Sequence, residues 1–180
     1  EPVQLRGKLP DDVVDFLEEW FSPLDYVEGH TSGSTGTPQP LRLYKRDMIA
    51  SAAITNRYMG ITAQSSLLLC LSVHYIAGKM MVVRALQAGA MLYVVPPSSH
   101  PLATWNRRVD VASMVPMQVE ATLRDCDGGT RLSLVSQLLV GGAPVSKQLS
   151  KQLAALPIQV YITYGMTETV SHVALRRIGD

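Results

Sequence analysis

Two cysteines, Cys70 and Cys126, are all that the 180 residues contain, far apart and in no C-x-x-C spacing. Neither a zinc site nor a disulfide framework is signalled, and a reducing, cytoplasmic compartment is the expectation. An excess of charge is missing too: 16 basic side chains stand against 15 acidic ones, a net charge of +1. That leaves no general field for nucleic acid, and pairs such as Arg107-Arg108 and Arg176-Arg177 are too short to track a phosphate backbone. Long apolar runs are also absent. The longest, "AGAMLYVV", stops at Pro96-Pro97, well short of the ~20 residues that span a bilayer. The first residues are charged and helical rather than signal-like, so no membrane segment is expected. No internal repeat and no low-complexity linker divides the chain.

What is present is 47% apolar residues, enough to bury a core in one globular unit over residues 1–180. Asp11 to Phe21 follows a proline, has acids in its first turn and repeats Val14, Leu17 and Phe21 at helical spacing, which predicts an amphipathic helix. Leu41 and Leu43 alternate with Arg42 and Tyr44 as in a strand, and Asp47 to Tyr58 has the alanine content of a helix that Gly60 would stop. Five apolar runs follow, "SLLLCLS", "AMLYVV", "VASMV", "QLLVG" and "QVYIT", alternating with helical stretches around Met80 to Leu86, Gln118 to Arg124 and Ser146 to Leu156. This alternation predicts an α/β fold, a mainly parallel sheet with flanking helices. Ligands in such sheets sit beyond the carboxyl ends of the strands.

The segment "HTSGSTGTPQP", from His30 to Pro40, has too little side chain for a core and too many hydroxyls for a helix or strand interior. It is a loop whose closely spaced N–H groups and hydroxyls suit phosphate oxygens. It is not G-x-x-x-x-G-K-[ST], and read alone it is equally a serine- and glycine-rich surface turn. "YGMTET", from Tyr164 to Thr169, follows the fifth strand and joins an aromatic face, a glycine, hydroxyls and one carboxylate. A carboxylate beside phosphate-binding hydroxyls needs a bridging divalent cation, Mg²⁺ being the simplest. "GGAP", from Gly141 to Pro144, lets backbone approach a flat base.

Taken in this order, "TSGSTGTP", "GGAP" and "YGMTE" resemble the adenylate-forming superfamily of acyl- and aryl-CoA ligases, luciferases and peptide-synthetase adenylation domains. The first fits [ST]-S-G-[ST]-T-G-x-P and the last Y-G-x-T-E, and the likeness runs from about Val27 to Val173. It implies the core of the large N-terminal domain of these enzymes, with ATP, Mg²⁺ and coenzyme A as cofactors. The phosphate loop would be Thr31, Ser32, Gly33, Ser34, Thr35 and Gly36, and adenine would lie against Gly142, Ala143, Tyr164 and Gly165. Thr167 would meet the α-phosphate, Glu168 would hold the metal, and His74 would stand between acyl pocket and nucleotide. Without the likeness His74 reads as a loop histidine at a strand end. A substrate carboxylate would attack the α-phosphorus, pyrophosphate would leave, and the acyl-adenylate would pass to coenzyme A.

Two departures stand out. Gln39 occupies the place of the family's lysine after "TGTP", with Arg42 the next cation. The ribose aspartate, the hinge and the small C-terminal domain with its lysine have no counterpart before Asp180. The expectation is therefore a piece of a larger ligase that binds ATP without turning over. No acid lies between His74 and Arg84, which speaks against an amino-acid substrate. Lys79 fits an acid with a second carboxylate, whereas Arg84 reads as a helix-surface solubiliser. "SVHYIAGKMMVVRALQAGAMLYVV" and "YGMTETVSHVAL" look most like o-succinylbenzoate-CoA ligases of menaquinone biosynthesis. Met166, Ser171 and His172 would then line the aromatic acid pocket, with Met80 and Met81 as its wall or as plain core. The open alternatives are another acyl- or aryl-CoA ligase, a nucleotide-binding module without catalysis, and an α/β scaffold with a degenerate loop.

Overall fold

The computed structural model describes residues 5–6, 9–31 and 39–179. After β1 (Leu5–Arg6) come α1 (Asp11–Phe21) and a hairpin of β2 (Tyr26–His30) and β3 (Pro40–Tyr44), which runs directly into α2 (Lys45–Met59). The remainder alternates: β4 (Ser66–Leu69), α3 (Ile76–Ala88), β5 (Met91–Val94), β6 (Val109–Met114), α4 (Pro116–Arg124), α5 (Gly128–Leu132), β7 (Val135–Val140), α6 (Lys147–Ala154), β8 (Gln159–Met166) and β9 (Ser171–Arg177). The five apolar runs are β4 to β8, and the helix after β3 does stop at Gly60, which adopts φ 68°.

The strands form one seven-stranded sheet in the order β1-β5-β4-β6-β7-β8-β9. All neighbours are parallel except β9, which returns antiparallel along β8. Because parallel strands are covered on both faces, their side chains divide between two cores. Leu67, Leu69, Val111 and Leu139 pack with α1, α2 and α3, while Leu68, Ala112, Leu138 and Val140 pack with α4, α5 and α6. Chain order reverses at β4, whose neighbours β5 and β6 lie on opposite sides. Such a switch point opens a crevice at the carboxyl ends of the strands. Among the described residues no helix is long and apolar enough to cross a membrane.

Two details differ from the sequence reading. α1 has the predicted bounds, but its inward stripe is Val13 and Phe16 with Leu17 and Trp20 beside them; Val14 is 37% and Phe21 71% exposed. The aromatic residues at 16 and 20 make 13-16-17-20 the wider apolar stripe, and it outcompetes 14-17-21. β8 also continues through Met166, so "YGM" is strand and only Thr167 to Val170 forms the turn into β9.

Candidate functional site

Each candidate segment is delivered by a particular element. The hairpin closes the neck of the hydroxyl-rich loop: the Thr31 N–H donates to the Gln39 carbonyl (3.0 Å), and the Gln39 N–H donates to Thr31 Oγ1 (3.1 Å). Ser32, Gly33, Ser34, Thr35 and Gly36 lie outside the described residues. Gly29 turns its open side towards Thr167: a Cβ built on it would stand 3.5 Å from Thr167 Cγ2.

Near the end of β8 the Tyr164 ring is exposed, whereas Thr167, just past the strand, is buried at 7% exposure. Glu168 is exposed and lines an open groove of about 570 Å³ between α2 and β9. At the end of β7, Gly142 takes φ 80°, where a side chain would be strained. Gly142 and Ala143 are both exposed, leaving a bare backbone ledge next to β8. Tyr164 and this ledge offer a stacking face and open backbone to a flat ring.

Beneath the ledge lies a chamber of about 90 Å³ lined from β6, β7, β8, β9 and α3. α3 is buried on nearly every side, Gly78 to Ala85 without exception, so its one arginine goes inward. Arg84 is fully buried, donates from Nη2 to Ser171 Oγ (2.8 Å), and directs Nη1 at Met81 Sδ (3.6 Å). Met81 Sδ also accepts from Ser113 Oγ at 3.1 Å. Arg84 Nε has no partner among the described residues. Burial pulls the guanidinium down to about 10, which leaves it charged at neutral pH. The expectation of a surface solubiliser is thus overturned. An almost wholly apolar helix has no solvent face to give a cation, and "IAGKMMVVRALQA" carried that signal.

Lys79 sits elsewhere. It is buried against the Phe16 ring (4.6 Å) and pairs with Glu19 (4.0 Å). Burial pulls its pKa down, with Glu19 and Glu28 acting in the opposite sense. It shares a cleft of about 250 Å³ with His74, His30 and four carboxylates, apart from Ser171 and His172. The structure therefore joins His74 to Lys79, and Ser171 and His172 to Arg84, instead of collecting all of them at one acid pocket. Met166 is 49% exposed, and Met80 and Met81 are both core.

His172 lines both the chamber and the outer groove, and its Nδ1 has no partner among the described residues. Burial first, and the Arg84 charge second, push its pKa from 6.5 down to about 3. Unfolded chain takes up a proton here as pH falls through 6.5, whereas folded chain does so only near 3. Stability is unaffected above pH 6.5 and declines below it, by at most ~1.4 kcal/mol per pH unit. We expect His172→Asn to flatten the acid limb of the urea midpoint between pH 6.5 and 4. An unchanged limb would mean that the ring is not held neutral.

Residues 26–180 match the family described as AMP-binding enzyme. The 2-succinylbenzoate--CoA ligase of Bacillus mycoides (strain KBAB4) is 29% identical over 162 residues, 88% of this chain and 34% of that protein. The chain spans about a third of the length of the curated relatives it matches. Among solved structures, an acyl-CoA synthetase (AMP-forming)/AMP-acid ligase II-like protein from Dyadobacter fermentans DSM 18053 superposes with TM-score 0.83 at 40% identity, over 91% of this chain and 47% of that one. The O-succinylbenzoate coenzyme A synthetase of Bacillus subtilis, in complex with ATP and magnesium ion, shares the fold: TM-score 0.67, 23% identity, 83% of this chain and 32% of that one.

Proposed function

Because the chain belongs to the AMP-binding enzyme family, we propose that it is the nucleotide- and acid-binding core of an ATP-dependent acid-CoA ligase whose acid carries a second carboxylate, o-succinylbenzoate. The observation that carries the choice of acid is Arg84: a buried, charged guanidinium with Nε unpaired among the described residues, at the chamber below the Gly142–Ala143 ledge. A buried cation without a carboxylate partner is unfavourable unless a ligand supplies one. The relatives named for succinylbenzoate support the same reading.

The site's chemistry fits ATP and Mg²⁺. Among the described residues no group of three or more His, Cys, Asp or Glu could cage a metal, but Mg²⁺ needs only one or two carboxylates when phosphates and water complete its shell. Glu168 would provide that carboxylate. The bound ion would neutralise charge developing on the phosphate oxygens. Thr167 would hold the α-phosphate, and residues 31–36 would meet the leaving phosphates. The ledge and Tyr164 take the adenine, so that the acid's carboxylate oxygen, directed by Arg84 at its far end, is in line with the α-phosphorus. That oxygen forms the new P–O bond, pyrophosphate departs with the electron pair, and coenzyme A thiolate later displaces AMP. No protein nucleophile is required, and the catalysis is positioning plus electrostatics. His74 lies in the cleft beside the hairpin and not in the chamber, so it is assigned no contact with the far end of the acid.

Calorimetry of the chain with non-hydrolysable acyl-adenylate analogues tests this. The o-succinylbenzoyl analogue is expected to bind at least about tenfold tighter than the benzoyl or decanoyl analogue, the increment of one charge-assisted contact. Equal affinity for all three would remove the dicarboxylate from the proposal, and absence of binding would favour a scaffold.

A further inference from the structure

The Thr167–Val170 turn is built from conformations that its residues do not favour. Val170 has φ 52° and Ser171 φ 90°, both in the region open to glycine, and valine is β-branched, for which this is a true outlier. Such residues persist only where their surroundings over-determine them. Within the turn, the Val170 N–H donates to the Thr167 carbonyl (3.0 Å) and the Met166 N–H to Thr169 Oγ1 (2.9 Å). The Thr169 hydroxyl lies between the carbonyls of Met166 (3.1 Å) and Ser171 (2.9 Å). These bonds are local and would survive if the whole turn tilted.

Arg84 holds Ser171 from α3, and a second anchor from outside is Ser51. Its hydroxyl, half-buried on α2, donates to the Val170 carbonyl at 2.8 Å across 119 positions of sequence. α2 follows β3 without a break, and the Lys45 N–H at its start donates to the Asp25 carbonyl (2.8 Å) just ahead of β2. Hairpin and α2 thus form one continuous arm, which is bonded to the turn at Ser51 and faces Thr167 at Gly29. We propose that Ser51 is a positioning residue which holds the turn, and with it the Glu168 carboxylate and Ser171, against the arm of hairpin and α2. This rests on the nucleotide-site reading above. Without that bond the turn, and the Glu168 carboxylate with it, can shift relative to α2.

Ser51→Ala and Ser51→Thr test this in the full 180-residue chain. Amide hydrogen exchange across residues 167–171 is expected to quicken about tenfold in Ser51→Ala, the order set by one hydrogen bond, with β4 to β7 unchanged. The gain in ATP affinity on adding Mg²⁺ should fall about tenfold, while Mg²⁺-free affinity stays. Ser51→Thr, which keeps the donor, should restore both. Unchanged exchange in the turn, or faster exchange throughout the sheet, overturns the clamp. Faster exchange in the turn with an undiminished Mg²⁺ gain overturns the positioning role. A wild-type chain that binds no nucleotide removes the site reading instead, and the exchange comparison then decides the clamp alone.

Discussion

Arg84→Met is expected to raise the thermal midpoint of the chain and, in the same protein, to weaken the o-succinylbenzoyl-adenylate analogue by about 10²–10³-fold. The two effects share one cause. Arg84 is fully buried, its partners Ser171 and Met81 are neutral, and no ion pair among the described residues includes it. Its desolvation is therefore uncompensated in the unliganded chain. Replacing buried ionic groups by apolar residues of similar volume is often stabilising, by about 1–4 kcal/mol. Methionine keeps the unbranched stem against Met81 and fills much of the space. The loss of one donor to Ser171 subtracts about 1 kcal/mol, not enough to reverse the sign. Binding moves the other way, because the ligand's second carboxylate would be desolvated with nothing to meet it. The benzoyl analogue, which has no such group, should be indifferent to the substitution. A lower midpoint with unchanged affinity for the dicarboxylate would show that Arg84 is structural.

That arginine also marks where the sequence could and could not be read. The strands β4 to β8 were legible because each is a short apolar run bounded by turn residues, and α2 because its alanines run to Gly60. Local pattern could not show β9: "SHVALRR" has exposed residues on an edge strand, so burial leaves little mark on it, and its pairing with β8 is a tertiary fact. The partition of cations was equally hidden. Lys79 and Arg84 stand five positions apart on one helix, but α1 covers the first and β9 the second. Only the helix's lack of any polar face signalled that both had to be inside. Ser51 illustrates the limit: nothing near it in sequence announces a bond to Val170, because the information lies in the return of β9.

Gly165→Ala should cost about 3 kcal/mol or more, at or beyond the upper end of ordinary overpacking, and should disconnect β9 from β8. A Cβ built at this position would overlap the Ser171 carbonyl oxygen and stand 2.6 Å from its carbon and 3.0 Å from His172 Cα. These are backbone atoms, so no rotamer change relieves the overlap; the strands must separate. They are already irregular here, with a register shift between Tyr164 and Gly165, and Ser171 is on the strained φ described above. Separation would carry Ser171 away from Arg84 and remove the support of the Glu168 turn, so stability and nucleotide binding should fail together. The control is Gly129→Ala in α5, where the new methyl would meet only Leu156 Cδ2 at 3.8 Å, an ordinary contact. That variant should be neutral or slightly more stable, because alanine restricts the unfolded chain. Urea titration of the two proteins decides the matter: a Gly165→Ala midpoint within error of Gly129→Ala would mean that β9 can shift freely, and that the narrow approach of the two strands does not hold the site together.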